Sequence, residues 1–195
     1  MTRRLPRILD LGILSPVELR AAVLDGELGM LGEAFAITDA PPTPSMRAGS
    51  LARAVPERGI IADRCAAWVW GWTPESSPLR LCVSKEARIS SPTRRMHRAR
   101  EVAISPDEVH ELGGVAITSP ERTLIDLARF DEGDDVVELL AAGIVVAGME
   151  KEVVDAALDR RPASAGLRRA RQRLEAAREL SYRGSDYPLL TRYTS

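Results

Sequence analysis

Aromatic residues are scarce in this 195-residue chain, at 4 % of the total. A core must therefore rest on Leu, Val, Ala and Ile. Apolar types reach 45 %, enough to pack one full domain or two small ones. Cysteine is limited to Cys65 and Cys82, 17 positions apart. That excludes a disulfide scaffold and offers no paired zinc-ligand spacing, so a reduced cytoplasmic protein is expected. No apolar run approaches the roughly 18–20 residues of a membrane span. The start, "MTRRLPRILDLG", has bases but no apolar core after them, and is not read as a secretory signal. Histidine occurs only at 97 and 110, and no phosphate-cradling or dinucleotide glycine motif is present. Lysine is nearly missing too: of 27 basic residues only Lys85 and Lys151 are not arginine.

The net charge of −1 conceals a strong order. Residues 87–100, "ARISSPTRRMHRAR", carry Arg88, Arg94, Arg95, Arg98 and Arg100 and no acid. Residues 101–160 hold 15 acids against four bases. Residues 161–178, "RPASAGLRRARQRLEAAR", return to six arginines against one glutamate. Such asymmetry serves an external partner through its field, or it is consumed by pairing inside the molecule.

The N-terminal part reads as a small winged helix-turn-helix. A short first helix is expected within "RRLPRILDLG". "SPVELRAAVLD" (15–25) is a capped helix: Ser15 caps, Pro16 occupies the first position and Glu18 closes the box. Val17, Ala21 and Leu24 fall on one face, with Leu28 continuing that stripe. "MLGEAFAIT" (30–38) is a hairpin or wing. "DAPPTPS" (39–45) is a linker. A helix over 46–55, a strand over 59–63 and a helix over 64–72 follow, the last with Trp68, Trp70 and Trp72. Strands are expected at 78–84, 94–105 and 113–118, with a capped turn at 105–112. Helices are expected from 119 onward, near 134–146, 150–160 and 164–179. The fold class is therefore α+β: a winged-helix-like unit over 1–40, a mixed sheet with helices over 45–180 whose C-terminal part is helical, and a tail over 181–195.

"GGVAITSPERTLIDLARF" (113–130) is the best-organised stretch. A strand turns into a helix at Ser119, which caps, and Pro120, which starts the helix without losing a hydrogen bond. Leu124, Leu127 and Ala128 point inward. Arg122 and Asp126, four apart, are expected to pair on the surface for about 0.3–0.5 kcal/mol. None of this requires catalysis. His97 lies among arginines, His110 sits in a capped turn, and Cys65 reads as core. Asp131, Glu132, Asp134 and Asp135 read as a solvated acidic loop, not a cation site. No catalytic, metal or cofactor site is assigned, and the chain is not expected to be an enzyme.

The strings "GGVAITSPERTLIDLA", "IIADRCAAWVWGW" and "LRLCVSKEARISSPTRRMHRAREVAISPDEVHELGGV" resemble, in order, segments of the bacterial AbiEi-type antitoxin family. The resemblance spans residues 13–177. It implies a winged helix joined to an α/β domain, a DNA-binding repressor of its own operon, and an opposing nucleotidyltransferase-like toxin. Double-stranded operator DNA and that toxin are the implied partners; oligomer formation is left open. The wing "GELGMLGEAFAIT" departs from the family in carrying Glu27 and Glu33 and no base. The helix before it offers only Arg20 against Glu18 and Asp25. Phosphate neutralisation dominates DNA affinity, so contact also calls on Arg3, Arg4 and Arg7, on Arg94, Arg95, Arg98 and Arg100, and on Arg168, Arg169 and Arg173. The other reading is a module that masks a toxin or another protein, without a specific DNA site.

Overall fold

Short apolar strands and capped helices sort into two sheets and a helical layer. The computed structural model describes residues 8–9, 14–39, 41–74, 78–86, 99–161 and 166–183. Its class is the expected α+β. The N-terminal unit runs β1 (Ile8–Leu9), α1 (Pro16–Leu24), β2 (Leu28–Leu31) and β3 (Ala34–Ile37). A first helix is not what Ile8 and Leu9 form. They pair antiparallel with β3, Ile8 opposite Ala36 and Leu9 opposite Phe35, giving the sheet order β1–β3–β2. The free edge of the hairpin outbids local helix formation, because it offers backbone partners already in place.

Both halves of the capping box form on α1: the Glu18 N–H donates to Ser15 Oγ at 3.3 Å, and the Ser15 N–H donates to Glu18 Oε2 at 2.8 Å. The buried side of α1 is not its Val17–Ala21–Leu24 face. Leu19 packs with Leu28, flanked by Ala22 and Phe35. Val17 and Leu24 are 76 % and 87 % exposed, and Ala21 is exposed with them. The helix is apolar on two sides and the small sheet covers one. The linker is also shorter than expected. Thr43 caps α2 (Pro44–Ser50), so the last two linker residues are already helical. That helix ends at Ser50, and Leu51 is buried while Val55 is half-buried.

The main sheet is mixed. Its strands are β4 (Ile60–Ile61), β5 (Leu81–Ser84), β6 (Arg100–Val102), β7 (Val109–Leu112) and β8 (Val115–Thr118), in the order β6–β5–β4–β8–β7. β4 runs parallel to β8 and β5 parallel to β6; β4–β5 and β7–β8 are antiparallel. The Ser105–Glu108 capping box forms, but on a single 3₁₀ turn, Pro106–Glu108. From Val109 the chain enters the β7–β8 hairpin, so the strand replaces the remainder of the expected turn, and His110 lies in a strand. Alternation along the strands feeds two faces. Ile61, Leu81, Val83, Val115 and Ile117 pack against α2 and α3 (Asp63–Val69), and Ile60, Cys82 and Val102 lie on the other face.

The helical layer contains α4 (Pro120–Phe130), α5 (Val136–Ala147), α6 (Lys151–Asp159) and α7 (Leu167–Arg183). The stripe of Leu124, Leu127 and Ala128 is buried as expected; on α7 Ala170, Leu174 and Ala177 are buried and Leu167 is partly buried. Residues 181–183 belong to α7 and not to a tail; the remainder of the expected tail lies outside the described residues. The three tryptophans join the layers. Trp68 enters the sheet core and Trp72 the helical core, while the Trp70 Nε1–H donates to the Thr118 carbonyl at 3.0 Å. Trp72 lies so close to Gly143 that a Cβ there would meet its ring at 2.8 Å. Among the described residues no helix is long and apolar enough to cross a membrane.

Candidate nucleic-acid interface

Which arginines face outward depends on how many the interior consumes. At the Ser119 corner, the Arg122 N–H donates to Ser119 Oγ at 3.2 Å, completing the cap. The Arg122 side chain then turns inward. Its Nε donates to Asp126 Oδ2 at 2.9 Å, and its Nη1 to Glu108 Oε2 and the Ala103 carbonyl, both at 3.0 Å. The expected surface pair is a buried one: Arg122 is 4 % exposed and Asp126 1 %. Sequence spacing placed the partners four apart, but burial came from the sheet and turn that close over them.

The pair belongs to a longer chain of alternating charge. Arg100 donates to Asp63 Oδ1 at 2.7 Å and approaches Asp126 Oδ2 at 3.6 Å. Arg161 donates to Glu108 Oε1. The sequence Asp63–Arg100–Asp126–Arg122–Glu108–Arg161 thus ties α3, β6, α4, the 3₁₀ turn and the end of α6 together. Burial alone would raise the Glu108 pKa, but the Ser105 N–H and the two guanidinium groups hold it below the usual carboxylate range. Burial likewise opposes the charge on Arg122, yet Asp126 and Glu108 hold it above its ordinary value. At Asp63 burial wins over Arg100, and the carboxyl is raised.

A second clamp joins α3 to the acidic loop. Arg64 Nε donates to Asp131 Oδ2 at 2.7 Å and Nη2 to Asp135 Oδ1 at 2.6 Å, with Nη2 and Nη1 completing both pairs. Two of the four loop acids are therefore bound to a guanidinium, Asp131 largely buried and Asp135 still exposed. A cavity of about 410 Å³ opens beside this clamp, lined by Asp63, Arg64, Arg80, Arg100 and Phe130. Arg100 and Arg129 lie over the Phe130 ring at 4.8 and 4.6 Å. Among the described residues no three His, Cys, Asp or Glu side chains are placed to hold a metal ion. Burial pushes the Cys65 thiol up to about 11 and the Cys82 thiol up to about 12, so neither supplies a thiolate at neutral pH. His110 is exposed and its ring meets Trp70 edge-on at 5.6 Å.

The candidate DNA contacts separate accordingly. Arg3, Arg4, Arg7, Arg94, Arg95 and Arg98 lie outside the described residues. Arg100 is engaged by Asp63, Asp126 and Phe130. Arg173 turns inward: its Nη1 donates to the Asp131 carbonyl at 2.7 Å and the Ala128 carbonyl at 3.2 Å. It closes the carboxyl end of α4, where unpaired carbonyls attract a cation. Arg178 is buried against Asp155 and the Lys151 carbonyl. Arg20, Arg168 and Arg169 are exposed, with no ion pair among the described residues. Arg171 is exposed and paired with Asp159 at 2.6 Å. The signal in the sequence for this internal use was the balance of the acidic middle against its two basic flanks.

No family model matches the chain, and no curated protein matches it. Among solved structures, the chain is similar to the crystal structure of RV2827C protein from Mycobacterium tuberculosis, with a TM-score of 0.50 and 18 % identity, over 92 % of this chain and 70 % of that one. At that identity the likeness is one of fold.

Proposed function

We propose that this chain is a cytoplasmic, non-enzymatic DNA-binding regulator of the AbiEi antitoxin type, acting on its own operon and opposing a nucleotidyltransferase-like toxin. The supporting observation is the pair Arg168–Arg169 on the outer side of α7, left free when the interior has engaged Arg64, Arg100, Arg122, Arg173 and Arg178. Adjacent guanidinium groups without an ion pair among the described residues, beside the paired Arg171, suit a phosphate backbone. The basic run Arg94, Arg95 and Arg98 adds charge of the same sign. The antitoxin part of the reading rests on the ordered sequence resemblance over residues 13–177.

Gel-shift titration on the operon's upstream DNA at two salt concentrations tests this. Reversing Arg168 and Arg169 to Glu is expected to weaken binding more than Arg20→Ala, and to reduce the salt slope by about two. Arg94, Arg95 and Arg98 reversal should act in the same direction. If Arg20→Ala alone abolishes binding, α1 is the reader and the α7 assignment fails. A second reading, a protein-masking module, is favoured by the exposed Val17, Ala21 and Leu24 of α1. It replaces the first if wild-type protein binds that DNA no better than background.

A further inference from the structure

The outer side of α1 carries a pattern that DNA reading does not use. Val17, Ala21 and Leu24 are spaced four and three apart, the d–a–d order of a heptad. In that frame Leu19 falls at f, farthest from the seam, and it is the residue buried against the protein's own hairpin. The seam is therefore the side facing solvent, with Val17 76 % and Leu24 87 % exposed. The capping box holds this face in helical form without a partner.

We propose that this face is a self-association surface, on which α1 packs in parallel against α1 of a second copy of the chain. The charges beside the seam select that occupant and that orientation. Arg20 occupies a g position, and Glu18 and Asp25 occupy e positions. Parallel helices bring g of one chain to the following e of the other, so Arg20 meets the second copy's Asp25, twice by symmetry. An antiparallel pair would oppose Arg20 to its own copy and acid to acid. Both Arg20 and Asp25 are exposed and have no ion pair among the described residues, so neither is already committed. Ala21 at the central a position permits close approach. The assignment uses Arg20 for the second copy and leaves the arginines of α7 free for DNA.

Sedimentation equilibrium of the full chain, loaded at about 10–500 µM, is expected to reveal a reversible dimer. Val17→Asp and Leu24→Lys should each raise its dissociation constant by about tenfold or more. These substitutions place an acid at the amino end of the helix and a base at its carboxyl end, so they do not act by melting it. Arg20→Asp should weaken the dimer, and Arg20→Asp combined with Asp25→Arg should restore it. Val17→Cys should cross-link with itself under mild oxidation, because the native Cys65 and Cys82 are buried. A wild-type protein that stays monomeric over the whole range overturns the proposal. So does a dimer indifferent to Val17→Asp and Leu24→Lys, or one in which Val17→Cys cross-links only to Leu24→Cys.

Discussion

Removing the Arg122 guanidinium would strand two carboxylates, Asp126 and Glu108, in a region from which water is largely excluded. Breaking one partner of a buried pair costs more than the pair itself contributes, because the remaining charge keeps its desolvation penalty. Arg122→Ala is expected to lower stability by about 3–5 kcal/mol in urea denaturation. The control is Lys151→Ala. Lys151 and Asp155 are also four apart, at 3.1 Å, but exposed, so less than about 0.5 kcal/mol should be lost. A similar, small loss for both would show that the Arg122 network is not energetically buried. The spacing of each pair was legible in the chain; the difference in their burial was not, since neighbours distant in sequence set it.

At the scale of the element, the β7–β8 turn separates two uses of glycine. Gly113 and Gly114 both have positive φ, +57° and +81°. A Cβ on Gly114 would meet nothing within 4 Å, whereas one on Gly113 would strike the α2 backbone at Gly49 and the Ser45 carbonyl. Gly114→Ala should therefore cost about 1–2 kcal/mol, from backbone conformation alone. Gly113→Ala should cost at least about 2 kcal/mol more, because α2 must shift away from the hairpin. Denaturation midpoints of the two variants measure the difference, and equal losses would mean that α2 does not press on the turn. In the sequence Gly113 and Gly114 read as the start of a strand, whereas the strand begins at Val115 and the two glycines form the turn before it. Only the fold revealed that one of them is also the floor on which a helix rests.

Across the described residues the acidic middle pairs with part of its basic flanks, through Arg100, Arg161, Arg171 and Arg178, and this makes folding sensitive to acid. Glu108, Asp131 and Asp155 are pulled below their ordinary pKa by Ser105 and arginine or lysine partners despite burial, and Asp135 chiefly by its hydrogen bonds to Arg64. Their folded pKa values lie below the unfolded ones. The stability they contribute is thus fully present above the unfolded value of about 4 and is lost as pH falls through the folded values. Asp63, raised by burial, opposes this in part. Urea midpoints should hold steady from neutral pH to about pH 5 and fall below about pH 4. Glu108→Gln should start lower and fall less steeply. A midpoint that rises on acidification would contradict the assignment of these pairs.

The sequence by itself determined what short-range forces decide. The Ser15–Glu18 box, the Ser119–Pro120 start of α4, the strands at β4, β5 and β8, and the buried stripes of α4 and α7 all follow from caps and periodicity, whose hydrogen bonds and side-chain spacing lie within one or two turns. The tertiary structure alone decided which surface meets which. Ile8 and Leu9 became a strand because a hairpin edge was at hand. Val17 and Leu24 turned to solvent because the small sheet covers the Leu19 side of α1. Arg122 and Arg173 turned inward because carboxylates and helix-end carbonyls from distant segments awaited them. A local pattern states what a side chain can offer; burial depends on the segment that arrives to cover it, and that segment is fixed by long-range packing.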